Sequence, residues 1–244
     1  MAIWFFVGAV FLLAGLVKGV IGMGLPTIAM GLLAVTMPPA DAATLLVVPS
    51  LVTNVWQLLA GPAFTSLAVR LAGMMTGVVV GTLVSAGILV SAGAGIATLA
   101  LGLALSVYAV VGLSGATLSL PRRHEPWLSP LVGLATGLVT GATGVFVLPA
   151  VPYLQAIGLE KDDLVQALGL SFTVSTLALA AGLLRAPVLE ANLMSMSLLS
   201  LLPAVAGMVL GQVVRRRIAP RTFRTVFFAG LLVLGSYLAL RQIA

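Results

Sequence analysis

The chain has 244 residues, 61% of them hydrophobic and 7% charged, with a mean hydropathy of +1.22. An ordinary soluble domain is about 25% charged, so this composition cannot clothe a water-facing surface; it excludes a soluble enzyme, a disordered scaffold and a disulfide-built secreted domain. The net charge of +6 does not point to nucleic acid, because the basic residues sit in short gaps between apolar runs rather than on one face.

Cysteine is absent and His124 is the single histidine, which argues against disulfides, thiolate metal sites and histidine-rich metal centres. Nothing in the sequence asks for a cofactor. Residues 1–17 carry no basic leader and run into more apolar sequence, so no cleavable signal peptide is expected. Each crossing of a bilayer takes about 20 residues, which gives the chain roughly eight to ten segments.

Charges punctuate the chain into uncharged runs at 1–17, 19–40, 42–69, 71–121, 126–159, 164–184, 191–214 and 225–240. The run 71–121 holds two spans with a turn near Ser91-Ala92-Gly93-Ala94-Gly95. Runs 42–69, 164–184, 191–214 and 225–240 fit one span each. Two regions fit no straight span. Residues 1–40 hold Lys18 followed by Gly19, Gly22, Gly24 and Pro26, and 126–159 hold Gly137, Gly141, Gly144 and Pro149. Glycine and proline at bilayer depth predict a break, a re-entrant turn or close helix packing.

The two odd regions are copies of one another. A shift of 122 residues lays Gly15, Gly19 and Gly22 on Gly137, Gly141 and Gly144, Asp41 on Asp163, and Thr53 on Ser175. Gly81 matches Gly207 at a shift of 126, and Gly102 matches Gly230 at 128. The chain thus divides into a first repeat, 1–120, a linker, Pro121–Pro126, and a second repeat, 127–244. Counting each broken region as two segments gives five per half, and an odd number turns the second half upside down. Loop charge favours that count. Lys18, Arg70, Arg122, Arg123, Lys161, Arg215, Arg216, Arg217, Arg221 and Arg224 then fall on one side, against Arg185 and Arg241 on the other, ten to two. The expected fold is an all-α polytopic membrane protein of two inverted repeats, the first segments of each half broken or re-entrant.

The acids Asp41, Glu125, Glu160, Asp162, Asp163 and Glu190 all lie in loops or at helix starts. A mid-span carboxylate is the usual proton or sodium site, and its lack also argues against a membrane hydrolase. The mid-depth polar residues are Thr27, Asn54, Gln57, Thr140, Thr143, Thr173, Ser175 and Thr176. Hydroxyl and amide donors, with the amides freed at broken helices, suit an anion that must be held weakly and released. Gly22, Gly24 and Gly144 would let backbone approach such a ligand. Each feature has a plainer reading. The Gly15-xxx-Gly19 and Gly137-xxx-Gly141 spacings serve helix packing equally well. Lys18 either snorkels to the interface or acts as a counter-charge on an anion path. Asn54 and Gln57 could hydrogen-bond a neighbouring helix. Asp41 and Asp163 are expected as helix N-caps. Trp4 and Trp127 are expected in the interfacial belt, and His124 in solvent.

The glycine runs carry a family resemblance. Gly15-Leu-Val-Lys-Gly19-Val-Ile-Gly22-Met-Gly24-Leu-Pro26 resembles the first signature of the TauE/SafE family of sulfite exporters, and Gly137-Leu-Val-Thr-Gly141-Ala-Thr-Gly144-Val-Phe-Val-Leu-Pro149 resembles its partner. The family's first signature often has three consecutive glycines where this chain has Gly24-Leu25-Pro26, and the second copy has Gly144-Val145-Phe146, so both loops are bulkier here. The resemblance implies a bacterial inner-membrane transporter of small anions, often sulfite or an organosulfonate. The expected function is therefore secondary export of such an anion by alternating access. A channel-like facilitator and a non-transporting assembly protein are the alternatives. The expected substrate-binding residues are Lys18, Gly22, Gly24, Thr27, Asn54, Gln57, Thr140, Thr143, Gly144 and Ser175. The expected partners are the anion and the lipid bilayer, with a homodimer compatible and nucleic acid excluded.

Overall fold

The computed structural model describes residues 2–91, 93–115, 119–184, 191–215, 217 and 220–243; Arg185, Glu190 and Arg216 lie outside them. Among the described residues helix is the only regular structure, without strands. In chain order the helices are α1 (Ala2–Ile21), α2 (Leu25–Leu33), α3 (Pro39–Leu59), α4 (Phe64–Arg70), α5 (Ala72–Ser91), α6 (Ala94–Ser114), α7 (Glu125–Thr143), α8 (Ala150–Ala156), α9 (Lys161–Leu184), α10 (Ala191–Arg215) and α11 (Pro220–Ile243). Seven of them, α1, α3, α5, α6, α9, α10 and α11, are long and apolar enough to cross a membrane. α7 has 19 residues, but proline, threonine and glycine dilute its leucines and it falls short on apolarity.

Both odd regions are broken helices. α1 runs through Lys18 and stops at Ile21, and α2 restarts at Leu25 with Pro26 in its first turn. α7 stops at Thr143 and α8 restarts at Ala150. The backbone is left-handed at Gly24 (φ 106°) and Gly144 (φ 71°), a conformation that costs a side-chain-bearing residue about 1–2 kcal/mol. Lys18 is therefore a helical residue one turn before a break, not a loop residue.

Two expected caps move. α3 starts at Pro39 after Pro38, so Asp41 sits inside the first turn; the two prolines preset the helical entry and displace the cap upstream. α9 starts at Lys161, which puts Asp163 in the first turn with Asp162. Both acids still lie at the positive end of a helix dipole. His124 closes a 3-10 turn, Arg122–His124, and meets the Trp127 ring edge-on at 6.2 Å.

Glycine decides which helices touch. Gly15 and Gly19 of α1 lie on the backbone of Ala204, Met208 and Gly211 of α10, while Gly207 and Gly211 lie on Leu12 and Leu16. Gly133, Gly137 and Gly141 of α7 lie in the same way on Met74, Val78 and Thr82 of α5, and Gly77 and Gly81 return the contact. At these seams packing is what the glycine spacing serves. Residue numbers rise together in both seams, so α1 runs parallel to α10 and α5 parallel to α7. The other two main pairings run antiparallel. Ser50 meets Thr176 while Gln57 meets Val165, which fixes α3 against α9. Gly102 meets Gly235 and Ala239 while Gly112 meets Phe228, which fixes α6 against α11.

Polar side chains satisfy the carbonyls that broken or proline-bearing helices leave open. Pro49 has no N–H to give to Leu45; Ser197 of α10 donates to that oxygen at 2.8 Å and accepts from Val48 N at 3.2 Å. Gln166 of α9 donates to Leu58 O at 2.7 Å and Gly61 O at 2.6 Å, and accepts from Ala63 N at 2.8 Å, closing the C-terminus of α3. Arg70 grips Glu125 with two bonds of 2.8 and 2.9 Å and also reaches Ile157 O at 2.9 Å. That hydrogen-bonded carboxylate raises the Arg70 pKa above its ordinary value, against the opposing effect of partial burial. These ties gather the C-terminus of α3 and the N-termini of α5, α7 and α9 at one end of the molecule. Arg70, Arg122, Arg123 and Lys161 lie at this end, which makes it basic.

The ion pair yields a stability prediction. Glu125→Ala should cost about 2 kcal/mol by stranding the guanidinium, and the Arg70→Ala/Glu125→Ala double variant should cost less than the sum of the singles. Thermal unfolding in detergent of the four proteins measures both; strict additivity would show that the pair contributes nothing.

Candidate functional site

At the crossing of α3 and α9 a set of polar side chains lies buried in an apolar bundle. Lys18, in the last turn of α1, lies there and is 4% exposed. Its ammonium donates to Thr53 Oγ1 at 3.1 Å and to Asn54 Oδ1. The Asn54 amide donates onward to Ser50 Oγ at 3.0 Å and to Thr176 Oγ1 at 3.3 Å. Thr53 and Thr176 spend their own protons on helix carbonyls, Pro49 O and Phe172 O, each at 2.7 Å, so their lone pairs face the donors. An ammonium has three N–H donors; two are engaged here, which leaves one for a ligand.

Both described partners of Lys18, Thr53 and Asn54, are neutral. Among the described residues no carboxylate pairs with it, and the one ion pair, Arg70–Glu125, joins two other residues. An ammonium in the bilayer interior costs about 3 kcal/mol even on the mildest scale, and hydroxyl and amide dipoles offset only part of that. An anion beside Lys18 would offset the rest.

Gln57, one turn along α3 from Asn54, holds the first break. Its Nε2 donates to Gly22 O at 3.1 Å and to Val165 O at 3.0 Å, while its buried Oε1 has no partner. A Cβ placed on Gly22 would meet nothing within 4 Å, so space stays open beside the break. Tyr108 of α6 donates to the Met23 sulfur at 3.1 Å and steadies the same turn.

The structure thus brings together Lys18, Gly22, Asn54 and Gln57 from the expected set. Among the described residues no hydrogen bond links the rest to them. Thr27 turns back on Gly24 O at 2.9 Å. Thr140 bonds Thr136 O at 2.7 Å. Thr143 bonds Val139 O at 2.7 Å and accepts from Val145 N at 3.2 Å across the second break. Gly24 packs on Val17 and Phe227, and Gly144 on Met30. Ser175 is fully buried and its hydroxyl has no partner. Lys18 does not snorkel; it turns inward. Ser50 and Thr53 join the cluster without having been candidates. The signal for them was the proline beside Ser50 inside a span, since a proline there requires other groups to answer the freed carbonyl.

One contact stands out by its arithmetic. Asn54 and Thr176 are 122 residues apart, the shift that aligns the glycine runs (176 − 54 = 122). Lys18 at the same shift meets Thr140, so one half carries a charge where the other carries a hydroxyl.

A family model described as sulfite exporter TauE/SafE matches residues 7–238, which takes in both breaks and the whole buried cluster. No curated protein and no solved structure matches the chain.

Proposed function

We propose a function from the premise that this chain belongs to the sulfite exporter TauE/SafE family. It is accordingly a multi-pass membrane transporter of the sulfur-anion exporter type. Our reading is that it sits in the bacterial inner membrane and carries a small oxyanion outward, sulfite or an organosulfonate, by alternating access between two inverted halves, 1–120 and 127–244.

The observation that carries this reading is Lys18, a buried ammonium that, among the described residues, is held only by neutral groups, in the last turn of a broken helix. The substrate anion supplies the missing counter-charge. Asn54, Thr53 and the open space beside Gly22 complete the cradle, and the amides freed by the break add partial positive charge. The inverted arrangement is supported by the antiparallel pairings. α3 and α9 are equivalent in the repeat and run antiparallel, as do α6 and α11. Equivalent residues of two such helices touch where the axis relating the halves passes, and Asn54 touches Thr176. Lys18 is therefore level with that axis, where inverted-repeat transporters bind their substrates.

A monoanion leaving a negative interior gains about 2.3 kcal/mol per 100 mV, so export needs no coupling ion. In proteoliposomes loaded with sulfite or sulfoacetate, efflux should rise with an inside-negative potential, saturate with internal anion and show counterflow. Flux that never saturates would replace the carrier with a pore. Absence of anion flux under any potential would remove the transport reading.

A further inference from the structure

The donors of the Lys18 cluster can be counted, and nearly all are spent. Asn54 gives its amide protons to Ser50 and Thr176. Thr53 and Thr176 give theirs to helix carbonyls, which leaves Ser50 as the donor to Thr176 at 3.3 Å. Gln57 gives its amide protons to the carbonyls of Gly22 and Val165. Those two carbonyls also fix which way its amide points, because the reverse orientation would set oxygen against oxygen. Of the side-chain protons in the cluster only the third N–H of Lys18 is free. The main-chain amides at the break add donors but no whole charge.

The charge count is as short. Lys18 brings one positive charge, and the side chains hydrogen-bonded to it are neutral. A monoanion beside it makes a neutral pair, whereas a dianion leaves one uncompensated negative charge in a low-dielectric interior. What the cluster has to spare is an acceptor. Gln57 is 7% exposed and its Oε1 has no partner. Like Lys18, it is shut from bulk water, so solvent does not answer it. Gln57 stands one turn from Thr53 on the same face of α3. Gly22 joins it to Lys18, since Gly22 O accepts from Gln57 and Gly22 N donates to Lys18 O at 2.8 Å. The half-buried break with open space at Gly22 is thus bonded to both. A bare anionic oxygen would be repelled by Gln57 Oε1, while a ligand with an O–H or N–H would satisfy it.

We propose that the Lys18 site selects a singly charged oxyanion that carries its own hydrogen-bond donor, with the negative oxygens on the ammonium and the donor on Gln57 Oε1. Hydrogensulfite and the hydroxyalkanesulfonates belong to this class; the sulfite dianion, sulfate and sulfoacetate do not, so sulfoacetate is carried only weakly. The inference rests on the transport reading above and narrows it.

The test compares three sulfonates of one chain length as substrates of the full-length protein in proteoliposomes. Isethionate is a monoanion with a hydroxyl, ethanesulfonate a monoanion without one, and sulfoacetate a dianion. The KM for isethionate should lie about tenfold below those for ethanesulfonate and sulfoacetate. In Gln57→Met the values for isethionate and ethanesulfonate should converge, through loss of isethionate affinity alone; a purely structural glutamine would raise both together and leave their ratio unchanged. Equal KM for isethionate and ethanesulfonate in wild type, sulfoacetate handled as well as isethionate, or an unchanged ratio in Gln57→Met would each overturn the proposal while the transport reading stands. Absence of flux with every anion tested, sulfite included, removes both. Should Gln57→Met fail to fold, the wild-type comparison decides alone.

Discussion

Lys18→Met should lower anion transport about 10- to 100-fold while leaving Tm within a few degrees of wild type. The two effects separate for a physical reason. A charge-assisted hydrogen bond to an anion contributes about 1.5–3 kcal/mol, which sets the transport loss. Stability faces opposing changes. Methionine removes the cost of burying an ammonium, about 3 kcal/mol in the bilayer interior, but leaves Asn54 Oδ1 unpaired, a cost of about 1–3 kcal/mol. Lys18→Arg keeps the charge and should keep part of the transport, since a planar fork cannot reproduce the compact bond to Thr53. A structural lysine would give the opposite outcome, with flux preserved and Tm collapsed. Flux assays in proteoliposomes, paired with thermal unfolding of the same preparations, measure both quantities.

Gly137→Ala and Gly15→Ala should each destabilise the protein by about 3 kcal/mol, the upper range for overpacking. That corresponds to a fall in Tm of roughly 6–12 °C for a chain of this size. The added Cβ at Gly137 would fall inside the radius of the Val78 carbonyl oxygen, and at Gly15 inside that of Ala204. Backbone atoms cannot rotate away as a side chain can, so α7 would have to part from α5, and α1 from α10. Gly8 and Gly230 are the controls: a Cβ at either meets nothing within 4 Å. Alanine there should be neutral or stabilise by about 0.5–1 kcal/mol, the ordinary helical preference over glycine. If all four variants behave alike, the seams are not held by close backbone approach.

The two effects belong to different layers of the molecule. The glycine seams bind each half to the other, α1 to α10 and α7 to α5, and place the ends of α1 and α7 inside the bundle. The cluster then occupies the α3–α9 crossing, where Asn54 links Lys18 to Thr176. A change at a seam should therefore disturb the site indirectly, whereas a change at Lys18 should leave the seams intact.

Composition and the spacing of charges were enough to place this chain in a membrane as helices, because a bilayer allows so few ways to satisfy a backbone that apolar length alone is diagnostic. The breaks at Gly22–Gly24 and Gly144–Pro149 were also legible, since glycine and proline state their backbone preferences locally. Thr140, Thr143 and Thr27 show where that reading stops: each is a buried hydroxyl, and each gives its proton to its own chain within four residues. A sequence records that a hydroxyl is present but not which carbonyl takes its proton. Lys18 shows the same limit, because its two readings, out to the interface or in toward Asn54, differ only in what stands beside it. Local chemistry thus determined the helices and their interruptions, while only packing between residues 36 and 122 positions apart, Lys18 on Asn54 and Asn54 on Thr176, decided which polar groups form a site.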